Sequence, residues 1–233
     1  MNRYARILLS AAFAVCLAVT GGVAEAASNV RPSHANAYGE GYGGLSAAWL
    51  EWVLAIPSTG NPLLDADGSF AGVDQSGKVW FLVGTTTGGS VRRTIAVPVG
   101  TALFFPIVNF FWVNTPEYGD PAWSAEQEAA VRRFLAETVD SARDLVLEID
   151  GQAVPDVDRL RVSGDVGACT LPDDNIFGIP FDPVPHACVA DGYWALLAPL
   201  SAGTHTIHFA GRFSSGLGSG FALDVTYELA VGP

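Results

Sequence analysis

The chain has 233 residues, of which 49% are hydrophobic and only 15% charged, and its formal net charge is −12. That composition excludes disorder for the bulk of the chain and leaves enough apolar material for a sizeable core. The acidity argues against nucleic acid or an anionic membrane surface as partner, and favours solubility first, with a cationic ligand or metal second.

Residues 1–26 read as a secretory signal peptide. Arg3 and Arg6 form a basic start, residues 7–19 an apolar run, and Ala24-Glu25-Ala26 a small–x–small cleavage pattern. The run is shorter than the roughly 20 residues a membrane span needs, so the expected address is the periplasm or the extracellular space. Cleavage would remove Cys16 and leave Cys169 and Cys188, which in an exported chain read as one disulfide. Its closed loop of about twenty residues is worth around 3 kcal/mol in the chain-entropy model. A metal site built on the two cysteines would need further ligands, and only His186 lies near.

Residues 27–44 form an irregular lead-in, and residues 45–233 are expected to make one domain. Trp49, Trp52, Val53 and Ile56 fall on one helical face, with Ser46 as expected N-cap and Pro57 as stop. Two Trp on such a stripe point to core docking; sugar stacking is the alternative use. Residues 61–77 are a turn-rich loop. Asp65 and Asp67 ahead of Gly68 resemble the start of a Ca²⁺ loop without its remaining acidic ligands, and an Asx turn accounts for the same residues.

The next stretch organises the chain. Residues 79–83, 94–97 and 102–108 are apolar runs separated by a Gly/Thr/Ser turn and a Pro98-Val99-Gly100 turn, which favours strands. The first and third show no alternation, so both of their faces should be covered, as in central strands. A second helix follows: Ser124 opens a capping pattern, and Val131, Phe134, Leu135, Thr138 and Val139 form its stripe. Strands resume at Leu145, with Asp150-Gly151 as a hairpin turn. A Pro-rich loop between Cys169 and Cys188 separates these from three closing strands. In the last of them Phe221, Leu223, Val225, Tyr227, Leu229 and Val231 alternate with small or polar residues, so one face is buried. The expected fold is mainly β: a two-sheet antiparallel β-sandwich, immunoglobulin-like or jelly-roll-like, of about eight or nine strands with two amphipathic helices.

Catalytic signatures are missing. There is no G-x-S-x-G, no H-E-x-x-H and no phosphate-cradling loop. His205 and His208 are three apart, so on a strand they face opposite sides and cannot share a metal. His205 shares a face with Ile207 and Phe209 and reads as structural. Carboxylates outside the clean strands (Glu40, Glu51, Asp65, Asp67, Glu117, Asp120, Asp182 and Asp191) could supply an acid pair for glycoside hydrolysis. The candidate binding site is the stapled loop, where Asp173, Asp174, Asn175, Asp182 and His186, with Asp191 just beyond, would be the polar contacts. The competing account makes that loop a stapled crossover between strands. No cofactor is expected, apart from Ca²⁺ at Asp65 and Asp67 should that loop prove to be an ion site.

Two blocks of residues carry a resemblance. The first runs from Trp49 and Trp52 through Asn61-Pro62, Asp65 and Gly68 to Val79-Trp80-Phe81-Leu82 and Gly84. It continues through Arg93-Thr94, Val97-Pro98 and Gly100 to Ala102-Leu103-Phe104-Phe105-Pro106 and Asn109. The second comprises Asp191-Gly192-Tyr193-Trp194, Pro199-Leu200, Gly203, His205, Ile207 and Phe209, then Phe221 and Leu223-Asp224-Val225-Thr226-Tyr227. Together they resemble a family of uncharacterised exported bacterial proteins over most of the mature chain. The resemblance implies export and brings no activity. Relatives often carry cysteines near the places held here by Phe70 and Ile95, so a second disulfide is not expected. The terminal strand is similar to the last strand of immunoglobulin-like modules, an analogy of fold alone. The leading functional reading is a non-enzymatic binding or envelope module with a glycan, polymer or protein partner. The alternative is a carboxylate-dependent hydrolase of saccharide or ester bonds.

Overall fold

The computed structural model describes residues 29–233, so the expected signal peptide lies outside the described residues. Two short strands, β1 (Asn36–Ala37) and β2 (Glu40–Gly41), lead into helix α1 (Tyr42–Ala55). α1 starts ahead of the expected Ser46 cap: Gly41 is the N-cap, and Ser46 lies within the helix with its Oγ donating to Gly43 O at 2.8 Å. The carboxylates of Glu40 and Asp165 crowd the space beside Gly44 and Gly43, placing negative charge where the helix dipole is positive. This tertiary support offsets the poor helix propensity of the two glycines.

The described residues contain twelve strands, ten of them in two sheets of five. The first sheet has the order β3 (Val79–Phe81), β5 (Ala102–Val113), β10 (His186–Leu197), β8 (Arg161–Ser163), with β9 (Gly167–Cys169) also paired to β10. The second has the order β4 (Gly89–Pro98), β12 (Ala222–Gly232), β11 (Gly203–Phe213), β6 (Ala142–Ile149), β7 (Gln152–Ala153). Helix α2 (Ala125–Val139) connects β5 to β6. The sheets pack in an open sandwich-like arrangement, and one apolar cluster fills the space between them, with Phe105, Ile107, Leu147, Phe209, Val225 and Tyr227 among its members.

Two expectations are corrected. The sheets are not wholly antiparallel: β3 runs parallel to β5, and β4 runs parallel to β12. The chain reverses between β3 and β4 and again between β4 and β5, changing sheet each time, so these strands meet neighbours distant in sequence. The run 79–83 is also not central, since β3 lies at a sheet edge and only three of its residues are strand. Its edge is covered by the 61–77 loop, where Gln75 donates to Phe81 O at 2.8 Å and accepts from Phe81 N at 3.0 Å. A covered edge leaves the same apolar signature as a central strand.

β5 and β10 are buried on both faces, as the lack of alternation predicts for 102–108. One face meets the second sheet; the other meets α1 through Trp49, Leu50, Phe104 and Trp194. Trp194 stacks on Phe104 at 5.3 Å and meets Trp49 edge-on at 5.5 Å, each contact worth about 1 kcal/mol beyond burial. The bond between Cys169 and Cys188 lies fully buried beneath the same helix. α2 is capped by Ser124, whose Oγ accepts from Gln127 N at 3.2 Å, and it docks Val131 and Leu135 against Val189. β12 keeps its alternation, with Leu223, Val225, Tyr227, Leu229 and Val231 buried. Its other face carries Glu228 paired with Arg92, and Asp224 beside His208.

One buried charge ties the loop to both sheets. Arg93 is 1% exposed, and its guanidinium makes five hydrogen bonds to neutral acceptors. Two go to Asp65 O (2.9 and 2.8 Å), one each to Val83 O and Gly84 O (2.9 Å), and one to the Tyr227 hydroxyl (2.9 Å). Tyr227 is the register partner of Arg93 across the parallel pair, and the guanidinium carbon lies 5.5 Å from its ring centre.

Candidate functional site

A concavity of mainly apolar character opens beside β5, where β3 stops short. β3 pairs with β5 only as far as Phe104, and Pro106 has no N–H to extend a ladder. The chain instead turns away at Gly84, which passes so close to Leu223 that an added Cβ would lie 3.2 Å from its Cδ2. The gap left along the edge of β5 is a cavity of about 360 Å³. Trp49 and Leu63 wall it on the α1 side, Phe213, Phe221 and Leu223 on the second sheet, and Phe177 from the disulfide loop. Gly84, Thr85, Thr86, Pro106, Asn109, Phe110 and Phe111 complete it. The volume is within the range of small-molecule sites.

A bulge turns β5 over in this region. Tyr193 pairs with Val108 and Trp194 with Pro106, so Ile107 is extra, and both Ile107 and Val108 are buried inward. Asn109 then stands opposite Gly192, where a Cβ would come within 2.6 Å of Asn109 Cβ and 2.7 Å of Val108 O. Only glycine leaves room for that asparagine. Trp49 is fixed by its Nε1 donating to Leu82 O at 2.8 Å.

The lining contains no Asp, Glu, His, Lys or Arg. Its polar side chains are Thr85, Thr86 and Asn109. Thr85 Oγ1 accepts from Thr87 N at 3.3 Å. The Asn109 amide nitrogen is covered from solvent and has no hydrogen-bond partner. Beside this cavity, and sharing Phe111 and Phe177 with it, is a second hollow lined by Trp112, Val113, Tyr118, Ile179 and Phe181. Tyr118, Phe177 and Ile179 are exposed large apolar side chains.

Of the polar residues expected on the disulfide loop, Asp182 and His186 come together beside Glu117 around a small hollow, with His186 Nε2 3.6 Å from Glu117 Oε1. Asn175 is buried as a loop staple: its Nδ2 donates to Pro172 O (3.1 Å) and Ile179 O (2.8 Å), and its Oδ1 accepts from Phe177 N. His186 is buried too, with Nδ1 3.0 Å from Asn114 O and Nε2 3.1 Å from Asp182 O. Asp174 accepts from the Ser58 hydroxyl, and its carbonyl accepts from Ser58 N. Asp173 and Asp182 are exposed. Asp191 is an odd number of residues along β10 from His186, on the opposite face. It is buried in a two-pronged pair with Arg161, at 3.2 and 3.0 Å. What the loop contributes to the cavity is Phe177.

The acidic turn at Asp65 is occupied by its own backbone. Oδ1 accepts from Asp67 N and Gly68 N at 3.0 Å, and Oδ2 from Phe70 N at 2.9 Å. Burial pushes the Asp65 pKa up, but these N–H groups outweigh it and hold the carboxyl below its ordinary value. Asp67 accepts from Ser69 N. Among the described residues no three His, Cys, Asp or Glu side chains stand together as metal ligands. Of the other acids singled out in the sequence, Glu51 accepts from Ala168 N, Asp120 from Thr115 N and Oγ1, and Glu117 from Asp182 N.

The histidines on β11 face opposite sides. His208 lies outward between Glu148 and Asp224, at 3.1 and 3.2 Å. His205 has Nδ1 2.8 Å from Asp150 Oδ2 and Nε2 3.3 Å from Ser201 Oγ. That sequence of contacts imitates a nucleophilic triad, but the same Nε2 is 3.0 Å from the Ser201 carbonyl oxygen. A hydrogen donated there leaves no lone pair to activate the hydroxyl.

No family model, curated protein or solved structure matches this chain. Among the described residues no helix is long and apolar enough to cross a membrane. The motif residues Trp49, Gly84, Pro106, Asn109, Phe221 and Leu223 all line the cavity. Asn109 was not read as a site residue from sequence. Its signal was there: it is the lone polar side chain in the twelve residues of β5.

Proposed function

We propose that this is an exported, non-enzymatic binding protein that takes a small, largely apolar ligand into the cavity between Trp49, Asn109 and Phe177. The observation that carries this reading is the lining itself: concave, aromatic and free of titratable side chains. Such a wall can hold a molecule but offers no acid, base or activated nucleophile to transform it. The signal-peptide pattern of residues 1–26 and the Cys169–Cys188 bond support export to a disulfide-permissive compartment.

The strand order also supports an immunoglobulin-like rather than a jelly-roll kinship. β5, β10 and β8 stand opposite β12, β11 and β6 in the B-E-D against G-F-C arrangement, and β4 joins the last strand in parallel. β3 departs from that scheme by running parallel to β5.

The test uses the purified protein and the neutral probe N-phenyl-1-naphthylamine. Binding should raise the probe's fluorescence, perturb tryptophan emission and raise the melting temperature with probe concentration. Replacing Phe177 with Asp should weaken binding at least tenfold, the order expected for putting a charge on an apolar wall. Absence of any probe binding, or turnover of ester or glycoside substrates, would sink the reading.

A further inference from the structure

The polar inventory of the cavity is short enough to restrict what can occupy it, given that the cavity is a ligand site as proposed above. No cation lines it, so an anion entering it would lose its water without gaining a partner. Arg93 is the nearest buried positive group in the sequence of contacts, through Gly84 O. It is 1% exposed, is not part of the lining, and has Nη1 engaged by Val83 O, Gly84 O and the Tyr227 hydroxyl. No carboxylate lines the cavity either, so a compact, strongly hydrated cation would find no ion-pair partner there. The protein's net charge of −12 further disfavours anions.

Asn109 supplies the one positive requirement. Buried polar atoms in folded proteins are almost always paired, yet Asn109 Nδ2 is covered and has no partner. The amide is held at the wall by its fit over Gly192, while its terminal torsion is broad and can turn the nitrogen toward an occupant. A ligand acceptor that took this hydrogen bond would relieve a cost the empty protein carries. The cavity of about 360 Å³ has room for about a dozen water-sized volumes, hence a molecule of about a dozen non-hydrogen atoms.

We infer that the cavity selects a neutral, mainly apolar molecule of that size bearing a hydrogen-bond acceptor, of the carbonyl or ester class, which takes the Asn109 amide as its donor.

Three probes of similar size separate the possibilities by calorimetry or tryptophan fluorescence at neutral pH: methyl nonanoate, its isomer decanoic acid (ionised), and the hydrocarbon pentylbenzene. The ester should bind about tenfold more tightly than the carboxylate and also more tightly than the hydrocarbon, the scale of one buried hydrogen bond. In Asn109→Leu the ester's advantage over the hydrocarbon should fall by about tenfold, while pentylbenzene still binds and so reports that the variant is folded. The infrared carbonyl stretch of the ester bound to the native protein should move to lower frequency than in hexane, a readout independent of any variant. If none of the three probes binds, the binding reading itself fails. If the hydrocarbon or the carboxylate binds as well as the ester, or the carbonyl stretch matches that in hexane, the cavity remains a binding site but the assignment of its ligand class is overturned.

Discussion

Two polar groups, one hydrogen-bonded to Gly84 and one lining the same cavity as Gly84, are treated in opposite ways by the protein. Arg93 lies behind the Gly84 carbonyl, and its five hydrogen bonds are all supplied by the chain. Asn109 lines the cavity that Gly84 also lines, and its amide nitrogen receives nothing. A buried group held by acceptors at each of its three nitrogens ties the fold together, because removing it strands its partners. Trp80, Trp112 and Trp194 also carry an unmatched Nε1 but pack by their rings, whereas Asn109 is the one of these four residues that lines the cavity, and its amide nitrogen contributes no hydrogen bond to the fold. The contrast separates scaffold from site on two consecutive strands, β4 and β5, that belong to opposite sheets, and it can be broken by experiment on either side.

The largest effect belongs to Arg93. Arg93→Met keeps much of the aliphatic volume but strands the Asp65 and Gly84 carbonyls in a dry interior. It also frees the 61–77 loop, whose Thr94 N to Asp67 O bond of 2.9 Å is the adjacent tie. Urea unfolding should show a loss of about 3–5 kcal/mol, the range for breaking a buried network from one side. A loss below about 1 kcal/mol would mean that the carbonyls are rehydrated and that the node is not structural.

A smaller effect should appear in alkali, and only on the scaffold side. Burial pushes the Tyr42 pKa from 10.0 up to about 12, with the hydrogen bond from Leu196 N opposing. Tyr227 is also raised, by burial first, with the Arg93 charge and its hydrogen bonds acting the other way. Both folded-state values lie above those of the unfolded chain, so both phenols are neutral in either state below pH 10 and the full stability is present there. As pH rises from 10 toward 12 the unfolded chain releases protons that the folded protein keeps, and stability falls. The urea midpoint should decline across that window, and Tyr42→Phe and Tyr227→Phe should each flatten the decline. Equal slopes in all three proteins would show that neither phenol is responsible. The cavity has no titratable side chain to add to this slope.

Much of the scaffold was legible because it follows local periods. β12 announces itself by alternation, α2 by Ser124 and a helical stripe, and the disulfide by being the only pair left after signal cleavage. β3 misled because Trp80 and Phe81 are covered by α1, the core and the Gln75 loop, and single-sequence periodicity cannot distinguish a covered edge from a central strand. The cavity was not legible at all. Its walls come from α1, β5, β11, β12 and the disulfide loop, and no short stretch contains enough of it to form a pattern. The polar residues of the loop drew attention because charge and polarity are conspicuous in sequence; Asn175 and His186 are held by backbone carbonyls, and Asp191 pairs with Arg161. The aromatic Phe177 among them is the residue that reaches the site.

The smallest expected effect is the most discriminating. Asn109→Leu removes an amide whose nitrogen has no partner and replaces it with a side chain of similar reach among Pro106, Phe110 and Phe111. If the amide does no structural work, its loss relieves a desolvation cost and adds apolar contact, so the variant should be as stable as the native protein or more stable by up to about 1 kcal/mol. The comparison with Arg93→Met is then direct, since both changes put an unbranched or γ-branched apolar chain in place of a polar one. A gain or no change at Asn109 alongside a large loss at Arg93, measured in the same urea series, is the signature of a site next to a scaffold. A loss of more than about 1 kcal/mol at Asn109 would place its amide among the groups that hold β5 against β10, and the cavity would then be a packing defect beside a structural asparagine.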